Sequence, residues 1–126
     1  MGKIDRMRTS RSLVVIAVAL FTFASLPLLS RAQPSSSSVN IVNNSTRSIV
    51  HVYVSHVDSD DWSGNQLGDS TISSGQSFNL SNVTCDGQQI KVIGEDQDGC
   101  FSSTVVNCGE SSTWTITNDT ARDCGN

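Results

Sequence analysis

The sequence predicts a small all-β domain, an antiparallel β-sandwich of six or seven short strands, left behind after a signal peptide is cleaved. Three observations predict it. The opening segment passes from basic to apolar to small residues, the order a secretory signal follows. Beyond it no run of ten or more residues carries a helical period, and short β-branched runs alternate with turn residues. All four cysteines lie in this second part, an even count of the kind small exported domains use for disulfides.

The first segment holds Lys3, Arg6, Arg8 and Arg11, then the uncharged run LVVIAVALFTFASLPLL from Leu13 to Leu29, then Ser30-Arg31-Ala32. A membrane anchor is the competing reading. The apolar run is 17 residues, at the bottom of the spanning range, Pro27 interrupts it, and a cleavage-type triplet follows. Arg8 and Arg11 are not adjacent, which leaves a twin-arginine route unsupported. No cysteine lies near the cleavage point to take a lipid. The chain therefore divides into a signal peptide at 1–32, a Ser-rich linker at 33–38 (QPSSSS) and a disulfide-bonded domain at 39–126, secreted or periplasmic.

Of the 8 basic and 12 acidic residues, five basic and one acidic lie in residues 1–32, leaving 3 basic and 11 acidic among the remaining 94, a net charge of −8. Such an acidic surface disfavours nucleic acid, whose phosphates demand cationic groups. It disfavours an anionic membrane surface equally, and it tolerates cations.

Strands are expected at 39–43 and at 48–55 (SIVHVYVS), where Val50, Val52 and Val54 form the core face and Ile49, His51 and Tyr53 the other. A short strand at 69–73 is possible by pattern. Strands follow at 76–82 with Phe78 and Leu80 on one side, and at 88–94 with Ile90 and Val92 on one side. The last two are 101–107 and 112–118, with Trp114 and Ile116 inward. Turn signals stand at Asn43-Asn44-Ser45, Ser74-Gly75, Asp98-Gly99 and Cys108-Gly109. The stretch from His56 to Gly68 is irregular, with room for one helical turn capped by Asp60. Trp62 and Leu67 are expected to fold back onto the sheet.

Cys85, Cys100, Cys108 and Cys124 are spaced by 15, 8 and 16 positions. No Cys-x-x-Cys pair occurs and only His51 and His56 are at hand, so disulfides are favoured over zinc. Four cysteines allow three pairings.

A set of residues carries a resemblance. Asn43-Asn44-Ser45-Thr46, Ile49, Val52-Tyr53-Val54-Ser55, Trp62, Gly64, Leu67-Gly68, Ile72 and Gly75-Gln76-Ser77 open it. Cys85, Ile90-Lys91-Val92, Glu95-Asp96, Gly99, Asn107-Cys108 and Trp114-Thr115-Ile116 continue it. This pattern resembles a group of small exported bacterial proteins of no assigned activity. Their motifs run Y-V-S-P, W-G-x-x-x-L-G and L-x-x-G-x-S, then C-x-x-D-I-K-V-x-x-E-D-G and N-x-C. Members often carry automatic names such as signal-sequence protein or argininosuccinate lyase; that lyase is far larger and mostly helical, and the label does not suit this chain. The resemblance spans most of residues 39–118 and implies export and a β fold, not a reaction. The chain departs from it at Arg47 (glycine is usual), His56 (proline) and Gln89 (an acidic residue), and Cys100 and Cys124 look like additions. The resemblance implies a Cys85–Cys108 bridge, and Cys100–Cys124 follows by elimination. A hairpin turning near Asp96–Gly99 agrees, because residues facing across it have numbers summing to roughly 193–197, and Cys85 with Cys108 sums to 193. Cys85–Cys100 would lie roughly 30 Å out of register, too far to bridge.

Candidate sites are few. Asp96-Gln97-Asp98-Gly99 is a fragment of a calcium loop, but Val105 stands where the bidentate Glu of such a loop belongs. A hairpin turn with Gly99 at positive φ is the simpler reading. Asp58, Asp60, Asp61 and Asp69 form a second acidic cluster. With a strand at 69–73 strand parity puts the two clusters at opposite ends of the domain; without it they meet. Asp58, Asp60, Asp61, Asp96 and Asp98 are thus the candidate calcium ligands, and no other cofactor is indicated. A hydrolase triad would need a Ser beside His51 or His56 and a carboxylate; among so many serines such combinations arise by chance, and no nucleophile elbow is present. Trp62 is a candidate platform for a sugar ring, or else the anchor of its loop. The expected function is a non-catalytic exported β module that binds by surface contact. The alternatives are a calcium-dependent binding module and a small secreted hydrolase.

Overall fold

In a computed structural model of the chain, residues 35–85 and 87–125 are described; the segment read as a signal peptide, with Gln33, Pro34, Asp86 and Asn126, lies outside the described residues. Six strands follow in order: β1 (Ser35–Asn44), β2 (Ile49–His56), β3 (Ser77–Cys85), β4 (Gln89–Asp96), β5 (Phe101–Asn107) and β6 (Ser111–Thr117). They form two three-stranded sheets, ordered β3-β1-β6 and β2-β4-β5. The all-β sandwich is as expected. Among the described residues no helix is long and apolar enough to cross a membrane.

The expectation of a wholly antiparallel sandwich needs one correction: β1 and β6 pair in parallel, while the other three ladders are antiparallel. The cause is strand parity. Chain direction reverses at each connection, and the segment 57–76 recrosses the domain between β2 and β3 without forming a regular strand. The first and the seventh runs therefore point the same way when they lie side by side.

That segment also replaces the strand expected at 69–73, of which only Ile72 bridges, to Ile49. Earlier in the segment, residues 63–66 hydrogen-bond the free edge of β2. The Ser63 amide donates to the Val54 carbonyl at 2.8 Å and the Gln66 amide to the Val52 carbonyl at 2.7 Å. In return, the amides of Val52 and Val54 donate to side-chain oxygens, Asn65 Oδ1 and Ser63 Oγ. Side-chain acceptors stand where a ladder would use carbonyls, so the run protects the edge without reading as a strand.

The Ser-rich linker expected at 33–38 is also corrected over its described part. Ser35 to Ser38 open β1, which is paired on both sides, and Ser37 is buried. A serine at such a position is tolerated because its hydroxyl finds partners: Ser37 Oγ accepts from the Gly109 amide at 2.8 Å, and Ser38 Oγ meets Ser111 Oγ at 2.8 Å.

Two bulges set the burial pattern. In β2 the register shifts between Ile49 and His51, so Ile49 turns inward with Val52 while Val50, expected in the core, is only half-buried. In β3, Ser81 and Asn82 together oppose Ser38, and Asn82 takes φ 57°. Inward residues thus switch from Leu80 to Val83 and Cys85. The two sheets meet over Val39, Ile41 and Ile116 from one side and Val52, Ile90 and Val92 from the other, with Leu67 and Ile72 completing the core. Gly94 lies under Trp114, whose ring would touch any added Cβ at 3.4 Å.

Both bridges form as expected, Cys85–Cys108 with Cα atoms 5.7 Å apart, and Cys100–Cys124. Their setting differs in part. The β4–β5 hairpin arm begins at Gln89, facing Asn107, whereas Cys85 closes β3 in the other sheet. The first bridge therefore joins the two sheets. The second ties the tail to the start of β5, where Phe101 and Asp123 exchange backbone hydrogen bonds.

Candidate functional site

The loop that shields β2 also presents Trp62. Leu67, 5% exposed, and the backbone bonds to β2 anchor the loop, leaving Trp62 41% exposed. The ring leans on two aromatics from the outer face of the β2-β4-β5 sheet. Its centroid lies 5.4 Å from that of Tyr53 and 5.3 Å from that of Phe101, which meets it edge-on. Under this cluster Ile93 is 2% exposed although it points away from the core, so the aromatics form a second, smaller apolar layer. Beside it, His51 Nδ1 and Glu95 Oε2 are 2.7 Å apart, and the Tyr53 hydroxyl donates to the same oxygen at 3.2 Å. Burial, then the hydrogen bond and charge of Glu95, push the Tyr53 hydroxyl pKa up.

On the other side of Trp62 lies a cleft of about 450 Å³, opening between the edges of the two sheets. Val54, half-buried, and the buried core residues Val83 and Ile90 line it. Asp61 and Trp62 come from the loop, and Ser81, Asn82 and Thr84 from the free edge of β3. The β3 bulge sets this wall, since the positive φ at Asn82 changes which residues of β3 face outward.

The two acidic clusters do not come together. β2 and β4 run antiparallel with His56 facing Ile90 and Ile49 facing Asp96, so Asp58, Asp60 and Asp61 lie at one end of the sheet and Asp96 and Asp98 at the other. The recrossing segment supplies the reversal that the parity argument assigned to a strand. Asp96 is engaged: Arg47 lies 3.2 Å and Arg122 2.8 Å from its Oδ2, and the amides of Asp98 and Cys100 donate to its Oδ1. Burial alone would raise its carboxyl. The hydrogen bond from Arg122, those of the two amides and the Arg122 charge outweigh burial and hold it below the usual carboxylate range. Asp60 Oδ1 lies 3.9 Å from the Lys91 ammonium. Among the described residues no three His, Cys, Asp or Glu side chains converge as a cation would need.

Trp62 was legible in the sequence as a candidate. Tyr53 and Phe101 were not, because their contact with it depends on a loop folding across two strands. The β3 wall was not legible either, for nothing in QSFNLSN announces a left-handed Asn82.

No protein-family model matches the chain. No curated protein matches it. Among solved structures it is similar to an NMR structure of a protein from Eubacterium rectale, at TM-score 0.42 and 14% identity, over 68% of this chain and 80% of that one. A likeness of that degree carries no argument about the site.

Proposed function

We propose that the domain is an exported, non-catalytic binding module acting by surface contact through Trp62. The observation that carries this reading is the pairing of exposure with fixity. An indole held by its neighbours yet 41% open to solvent offers a large contact area at little cost in conformational freedom. The loop does not need this ring as its anchor, since Leu67 and the β2 hydrogen bonds serve that purpose. Export is supported by two disulfides, which persist in oxidising compartments, by the basic–apolar–small opening of the chain, and by the resemblance to small exported bacterial proteins.

The domain starting at Gln33, applied to arrays of glycans and proteins beside its Trp62→Ala variant, tests the binding role. Retention that the substitution reduces about tenfold, a change of about 1.4 kcal/mol, with the melting temperature preserved, is the expected result. Turnover of chromogenic esters or glycosides, or retention indifferent to Trp62, overturns the reading. For export, the expected intact mass of protein recovered outside the cytoplasm begins at Gln33. A membrane-bound form retaining the first 32 residues overturns it.

A further inference from the structure

We infer that the cleft between Trp62 and the β3 edge is a binding site for a neutral saccharide. The inference rests on Trp62 being the contact surface and adds the class of ligand.

Its first support is unused hydrogen-bonding capacity. Among the described residues, nothing engages the Trp62 indole N–H, the Asp61 carboxylate, the Asn82 amide group or the hydroxyls of Ser81 and Thr84, and all five residues line the cleft. The set mixes donors and acceptors, as hydroxyl groups that both donate and accept require. The second support is the apolar surface beside these groups, offered by the open indole and half-buried Val54, since Val83 and Ile90 are only 8% and 2% exposed. A sugar ring carries C–H faces bounded by hydroxyls, and this cleft offers an aromatic and aliphatic surface bounded by polar groups.

Charge narrows the class. Among the described residues no lysine or arginine lines the cleft, and the ionisable groups that do are Asp61 and His56. A phosphate or carboxylate ligand would meet Asp61 with no fixed cation opposite. A quaternary ammonium ligand would be recognised by aromatic faces set around it. Instead the Trp62 ring packs against those of Tyr53 and Phe101, at 5.4 and 5.3 Å, and they do not stand around the cleft as a cage. The walls are also held before any ligand arrives, one by the loop bonds to Val52 and Val54, the other by the bulge at Asn82. Preorganisation of this kind lowers the entropic cost of binding.

Amide and indole resonances of the 15N-labelled domain starting at Gln33 are followed while neutral gluco-, galacto-, manno-, xylo- and N-acetylglucosamine oligosaccharides are added to about 10 mM, a range suited to weak single-site binding. The expected result is shifts confined to Trp62, Asp61 and residues 81–84 with at least one series. Trp62→Ala and Asn82→Gly, the latter compatible with φ 57°, should each weaken binding about tenfold while the remaining spectrum keeps its dispersion. Silence at those residues across all five series overturns the inference, as does binding that neither variant affects. Trp62-dependent retention of a protein on the arrays, without any saccharide response, overturns the saccharide and leaves the Trp62 surface standing. A peptide that pairs with β3 shifts the backbone amides along its edge and does the same.

Discussion

Asp96 and Arg122 meet at 2.8 Å, and that contact fastens the carboxyl-terminal tail to the tip of the β4–β5 hairpin. Arg47, entering from the β1–β2 turn, shares the same carboxylate oxygen. Three segments far apart in sequence thus converge on one buried anion.

Acid should release this junction. The Asp96 carboxyl is depressed in the folded domain, so its contribution is present above the unfolded carboxylate pKa of about 3.9 and fades as pH falls through the lower folded value. Urea unfolding between pH 7 and pH 2 should show stability falling below about pH 4. Asp96→Asn should cost about 3 kcal/mol at neutral pH by removing the carboxylate from Arg47 and leaving Arg122 the more distant Asp98 at 3.5 Å, and its acid limb should be flatter than that of the parent. Equal steepness in both proteins would assign the acid sensitivity to other carboxylates.

Asn43 should prove as important as any apolar core residue. It is fully buried; its Nδ2 donates to the carbonyls of Arg47 and Ile72 at 2.7 and 2.8 Å, and its Oδ1 accepts from the amide and hydroxyl of Ser45. Asn43→Ala strands those groups and should cost about 2–4 kcal/mol in thermal or urea melts. Asn43→Asp should be at least as damaging, since it aims a carboxylate at two carbonyl oxygens. A mild effect from either would mean that water replaces the network.

The two disulfides should differ in weight. They close loops of nearly equal separation, 23 and 24 residues, so the chain-entropy gain is similar, about 3 kcal/mol each. Cys85 belongs to the core and Cys108 packs against it, whereas Cys124 is exposed and its tail is also held by Arg122 and Asp123. Calorimetry should therefore find the Cys85→Ala/Cys108→Ala pair less stable than Cys100→Ala/Cys124→Ala. The reverse order would make the tail bridge the main staple.

Calcium at millimolar concentration should leave the melting temperature unchanged. Asp96 is already held by two arginines, and the acidic residues after β2 lie at the far end of the sheet. A saturable rise of more than about 2 °C would show a cation bound to the native state and reinstate calcium-dependent binding.

Where local chemistry decided the structure, the sequence could be read. The alternating β-branched residues of 49–54 announce β2, and the β4–β5 hairpin pivots on Gly99 at φ 78°, the conformation its turn requires. The serines before Val39 gave no such signal, because their place in β1 depends on neighbours supplied by β3 and β6. The edge cover on β2 escaped for a related reason: Asn65 and Ser63 act through side-chain oxygens, leaving no strand pattern. Of the candidate site, Trp62 could be named in advance, whereas the cleft beside it arises from a bulge that no residue pattern marks.

The parallel pairing of β1 with β6 orders events in time. Ser38 and Ser111 touch across 73 positions, so the first strand to leave the ribosome waits for the last before its sheet is complete. Contacts this distant in sequence raise contact order and slow folding toward the millisecond-to-second range. The β3-β1-β6 sheet therefore closes only after the chain through β6 is available, whereas the β4–β5 hairpin draws on neighbours in sequence alone.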